Sequence, residues 1–103
     1  MEKFKNMGKA LKEAKNMKKR MEQVQVELKD SVVPVTKCSG KIIIELTGEL
    51  NVSKFKIHPS LLTSDQQGTI EKEIKEGFDE AIKKAKDLAT NKLQAVTGGL
   101  FSQ

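Results

Sequence analysis

The chain has no tryptophan and no tyrosine, and its four aromatic residues are all phenylalanine. Binding of unpaired bases relies on aromatic platforms at the surface. With so few rings, each is expected inside a lean core, which argues against single-strand recognition by stacking. One cysteine, Cys38, excludes an intrachain disulfide and fits a reducing cytosol. There is also only one histidine, His58. A hydrolytic triad needs a nucleophile beside an oriented base, and a zinc site needs three or four ligands. One His and one Cys supply neither, so no catalytic residues, metal, cofactor or small-molecule substrate are expected. No apolar run approaches the ~18 residues of a membrane span. The opening Met1-Glu2-Lys3-Phe4-Lys5 lacks the apolar core of a secretory leader. A cytoplasmic protein without a membrane partner is expected.

Proline is scarce too, with only Pro34 and Pro59, and long stretches are left unbroken. Across residues 4–30, Phe4, Met7, Leu11, Ala14, Met17, Met21, Val24 and Leu28 recur every three or four positions, the spacing of one helix face. Such a helix would be ~40 Å long, too long for the rest of the chain to cover. Residues 31–58 read as a sheet. Ser31–Thr36 is β-branched, and Pro34 marks it as an edge or irregular strand. Lys41–Thr47 alternates strongly, and Val52–Ile57 places Lys54 and Lys56 opposite Phe55 and Ile57. The short turns between them, at Lys37–Gly40 and Gly48–Asn51, imply an antiparallel meander. A second helix is expected over about 65–97. It would start between Ser64 and Thr69, with Ser64 and Gln67 as a capping box, and end at Gly98-Gly99. Ile70, Ile74, Phe78, Ala81, Ile82, Ala85, Leu88 and Ala89 form its apolar face.

This is one α+β domain over residues 1–103, with the order α-β-β-β-α. The first helix enters the sheet by its C-terminal end and the second leaves by its N-terminal end. The two therefore form an antiparallel arm if they project the same way. A lone three-stranded sheet keeps apolar surface and open edges. Pairing two sheets about a twofold axis removes both, so a homodimer is expected.

Nineteen Lys and Arg against fourteen Asp and Glu give a net charge of +5, and this charge is unevenly placed. Residues 1–20 hold eight basic and two acidic groups, net +6; residues 21–82 carry net −4; residues 83–103 carry net +3. The topology puts both basic ends on the far half of the arm. Lys3, Lys5, Lys9, Lys12, Lys15, Lys19 and Arg20 of the first helix, with Lys83, Lys84, Lys86 and Lys92 of the second, are the candidate contacts to double-stranded DNA. Lysine suits point-charge contact to phosphate, whereas bidentate reading of guanine favours arginine, of which there is one. Weak sequence preference follows. A lysine-rich helix face is also commonly just a solvated face, and arms that clamp a protein partner are the alternative reading. The carboxylates Glu71, Glu73, Asp79 and Glu80 are interleaved with lysines at helical spacing, which suits surface ion pairing rather than acid–base chemistry.

Several segments resemble the YbaB/EbfC family of nucleoid-associated proteins, in the same order and over almost the whole chain. Met17–Gln25 is similar to the Met- and Gln-rich first helix of that family. Ser39-Gly40, Ile42–Ile44 and Gly48 resemble its glycine-marked hairpin, and His58–Leu62 its Asp-Pro-Ser-Leu-Leu strand exit. Gly77–Ala81 and Val96–Leu100 resemble its Ala-Phe-Asn-Asp-Ala segment and its tail. The chain departs from the family at His58, where Asp is usual, and lacks its glycine-rich leader. The resemblance implies an α-β-β-β-α subunit and a tweezer-like homodimer. It also implies DNA binding through the two helices, at the nucleoid, affecting nucleoid organisation and gene expression.

Overall fold

The structure is a computed structural model that describes the backbone of residues 2–101 and the side chains of residues 7–97. A long helix α1 (Glu2–Asp30) leads into three strands, β1 (Val32–Lys37), β2 (Ile42–Thr47) and β3 (Val52–Ile57). Two short 3-10 turns, Pro59–Leu61 and Ser64–Gln66, lead into α2 (Gln67–Phe101). The strands form an antiparallel meander in the order β1-β2-β3. Pro34 sits in β1, at an edge, where its missing N–H costs the ladder least.

One face of the sheet makes the core. Val35 on β1 and Ile42, Ile44 and Leu46 on β2 are buried beneath Ala81 and Ala85 of α2, with Leu61 closing one side. Burying each of these isoleucines contributes about 1.5–3 kcal/mol. Gly77, Ala81 and Ala85 recur at i, i+4 and i+8, so a row of small residues lies on one side of α2. A Cβ on Gly77 would lie 2.6 Å from Ile44 Cδ1, which shows how closely the helix approaches the sheet.

The second helix starts within the expected range, but not by the expected device. Ser64 opens a 3-10 turn rather than capping α2, and the Gln67 side-chain Nε2 donates instead to Glu71 Oε1 at 3.0 Å. Nor do Gly98 and Gly99 end α2, whose backbone runs on to Phe101. Glycine keeps its N–H and its carbonyl, so it raises the cost of continuing a helix by about 1 kcal/mol without breaking the ladder.

Two expectations about burial are corrected. The phenylalanines are not all inside: Phe55 is 42% exposed. Helix α2 lies over β1 and β2, and Phe55 on β3 meets it at Phe78, at 5.7 Å between ring centroids. The side chains of Phe4 and Phe101 lie outside the described residues. The α1 seam is likewise buried only at its end, by Val24 and Leu28, while Met7 and Leu11 are 62% and 63% exposed.

The cause is the register of the two helices. Lys92 pairs with Glu27 at 3.1 Å, and both helices rise ~1.5 Å per residue, so the end of α2 comes roughly level with Lys18. About 24 Å of α1 continues beyond it. The molecule accordingly measures 78 × 23 × 16 Å.

Candidate nucleic-acid interface

What aims the arm is a glycine contact at its base. The Gly48 amide, in the β2–β3 turn, donates to the Leu28 carbonyl at 2.9 Å. A Cβ at Gly48 would lie 2.7 Å from Leu28 Cδ2 and 2.8 Å from the Leu28 carbonyl oxygen. The turn itself is tight: the Leu50 amide donates to the Thr47 carbonyl at 2.9 Å, and Leu50 takes a left-handed φ of 68°. Above this base the Lys92–Glu27 pair ties α2 to α1.

On the arm, Lys9, Lys12, Lys15, Lys19 and Arg20 are all exposed. None of them enters an ion pair among the described residues. Lys9, Lys12 and Lys19 share one stripe of the helix, opposite Met7, Leu11 and Ala14. The side chains of Lys3 and Lys5 lie outside the described residues.

The basic residues of α2 are placed differently from expectation. Lys83, Lys84 and Lys86 flank Ala85, which is buried against the core, so they sit beside the sheet and not at the arm tip. Measured along the helix axes, Lys84 and Lys12 are about 34 Å apart. The two basic chain ends therefore do not converge, because α2 spends its first five turns covering the sheet before it meets α1. Two of these lysines also have acidic partners. Lys84 pairs with Glu80 Oε1 at 3.2 Å, and Lys92 with Glu27. Lys83 and Lys86 are exposed and unpaired among the described residues.

Glu80 bridges two elements, accepting from Lys37 Nζ of β1 at 3.1 Å as well as from Lys84. The hydrogen bonds from Lys37 and then Lys84 hold its carboxyl below the ordinary range. Lys37 is raised in turn, first by its hydrogen bond to Glu80. Sequence spacing pairs Glu80 with Lys84, but the partnership with Lys37 depends on how α2 crosses the sheet. Among the described residues no three His, Cys, Asp or Glu side chains are grouped to hold a metal ion. No helix is long and apolar enough to cross a membrane among them. Cys38, half-buried at φ 55°, packs against the core.

The fold defines a class: an α-β-β-β-α subunit with a protruding basic helix. The chain's likeness to known proteins agrees with it. The model of the YbaB/EbfC DNA-binding family matches residues 3–100, and the chain belongs to that family. It is 32% identical over 95 residues to a nucleoid-associated protein of Ruminiclostridium cellulolyticum, covering 92% of this chain and 83% of that protein. It is 34% identical over 97 residues to a nucleoid-associated protein of Rhodospirillum rubrum, covering 94% of this chain and 91% of that one. Among solved structures, an uncharacterized protein from Helicobacter pylori shares the fold, with a TM-score of 0.70 at 19% identity over 85% of this chain and 89% of the other. The family is defined by DNA binding and is not an enzyme family.

Proposed function

We propose that this protein binds double-stranded DNA through phosphate contacts from α1, with weak sequence preference, as a nucleoid-associated protein of the cytoplasm that affects nucleoid organisation and gene expression. The observation that carries this reading is the arm. A helix projects about 24 Å past its neighbour; Lys9, Lys12 and Lys15 lie on that projecting stretch and Lys19 and Arg20 at its base, all exposed and without acidic partners among the described residues. The reading extends to Lys3 and Lys5, whose side chains lie outside the described residues, and Lys83 and Lys86 extend the basic surface toward the sheet. Lys84 and Lys92 contribute less, because each already has a carboxylate.

The working unit in this reading is a homodimer with two arms. Its support is the uncovered side of the core: Val52 and Phe55 are 57% and 42% exposed on the face that α2 covers elsewhere. The exposed Met7 and Leu11 on the arm favour a second reading, in which the arms clamp a protein partner. A gel shift on random duplex DNA across a salt series, with the mass measured in parallel, tests the first reading. Binding that weakens steeply with salt, by a species of twice the chain mass, supports it. A salt-independent complex or no complex overturns it, and a stoichiometric protein partner retained after nuclease treatment supports the second reading.

A further inference from the structure

The molecule carries a second basic site at the pole opposite the arm. The ladder that pairs Ile42 with Ile57 and Ile43 with Lys56 continues one step further, where the His58 amide donates to the Lys41 carbonyl at 2.7 Å. Alternation along the strands then sets Lys41, Ile43, Lys56 and His58 on one face of the sheet, the face away from α2. Lys41, Lys56 and His58 are exposed and line a groove of about 260 Å³ together with Gly40 and Ile43. Among the described residues no carboxylate lines it. Neither lysine is in an ion pair among the described residues, unlike neighbouring Lys37, which Glu80 occupies. The nearest acid on this face, Glu45, stands across the ladder from Lys54.

His58 is held in one role. Its Nδ1 accepts the Ser60 amide at 3.1 Å and lies 2.8 Å from Ser60 Oγ. A nitrogen that accepts an N–H carries no proton, so the neutral ring keeps its proton on Nε2 and offers it as a donor. Two ammonium groups and one N–H donor around a single groove match the oxygens of a phosphodiester.

We propose that Lys41, Lys56 and His58 form a second phosphate-binding site, which holds a second DNA duplex while the arm holds the first. This rests on the reading of the arm as DNA-binding. The two sites are far apart. Lys41 lies one step past the end of β1, and α1 leaves from the other end, so the groove is about 45 Å from the middle of the arm. A 12-bp duplex is about 41 Å long, at about 3.4 Å per base pair. Centred on the arm, it does not reach the groove.

The test uses that duplex twice. Protein is loaded on immobilised 12-bp duplex in enough excess to fill both arms of the homodimer, and capture of a further, labelled 12-bp duplex is counted; affinity for the free duplex is measured by fluorescence anisotropy. For the double variant Lys41→Glu with Lys56→Glu, capture is expected to fall at least about tenfold, because two phosphate contacts become two repulsions. Affinity for a single duplex should stay within about twofold, since the arm is untouched. Lys41→Gln with Lys56→Gln repeats the measurement without adding negative charge to the sheet, and circular dichroism checks the fold of both variants. Unchanged capture overturns the proposal and leaves the lysines as guards of the sheet edge. Capture and single-duplex affinity falling together also overturns it, by making the groove part of the arm's own site. Wild-type protein that binds one duplex but captures no second overturns this site alone. Wild-type protein that binds no duplex overturns the arm reading and this one with it.

Discussion

Replacing Lys9, Lys12 and Lys19 together by Gln should flatten the salt dependence of DNA binding by an amount the structure sets in advance. These three side chains share one stripe of α1, Lys9 and Lys12 on its free part and Lys19 at the base of that part, and are exposed. Each phosphate neutralised contributes about −0.9 to the slope of log K against log salt. If Lys9, Lys12, Lys15, Lys19 and Arg20 each meet a phosphate, one arm has a slope near −4.5, and raising salt from 50 to 200 mM weakens binding about 500-fold. The triple variant keeps two contacts, a slope near −1.8, and loses only about 12-fold over the same range. Lysine and glutamine have similar helix propensities, so helical content should hold. Fluorescence anisotropy on a random duplex at three salt concentrations measures both slopes. A change in slope of less than about one refutes the assignment of these lysines, because even one lost contact would give that much.

Other outcomes concern the scaffold. Gly48→Ala should destabilise the protein by about 1–3 kcal/mol in urea unfolding, because its Cβ would meet the Leu28 backbone. Gly77→Ala should cost less, because its Cβ would press on the buried Ile44 δ-methyl rather than on backbone, and alanine returns about 1 kcal/mol of helix propensity. Leu50→Gly should raise stability by about 0.5–1 kcal/mol, since it relieves a left-handed leucine at a modest cost in chain entropy. For Glu80→Gln the readout is the pH dependence of the Tm difference from wild type. The lowered Glu80 pKa means its contribution is present above the ordinary value of 4.5 and is lost as pH falls through the folded value. The raised Lys37 pKa means the partner contribution is present below 10.5 and is lost as pH rises through its folded value. The Tm difference should therefore be level in between and shrink at both ends; a difference that grows in acid would contradict the pairing.

Much of the fold is written locally. The three- and four-residue spacing on either side of the sheet marks both helices, alternation through Lys41–Thr47 and Val52–Ile57 marks two strands, and Pro34 marks an edge. The hairpin order follows from the short turns. The basic residues of α1 are equally legible, because a stripe on an isolated helix needs only its own periodicity. Local spacing could not show that Phe55 is left partly open, or that Gly77, Ala81 and Ala85 form the row on which α2 settles. Nor could it show that Lys37 holds Glu80 across two elements.

Sequence by itself determined the elements, their order and the excess of positive charge at the two ends of the chain, since each follows from the periodicity and chemistry of neighbouring residues. The tertiary structure alone decided how those ends are arranged in space. Close packing at Gly77 and Gly48, with the Lys92–Glu27 pair, sets where α2 crosses the sheet and where it meets α1. That register is a sum of long-range contacts that no local pattern encodes. It keeps the basic part of α2 beside the sheet and leaves the basic part of α1 as a free arm.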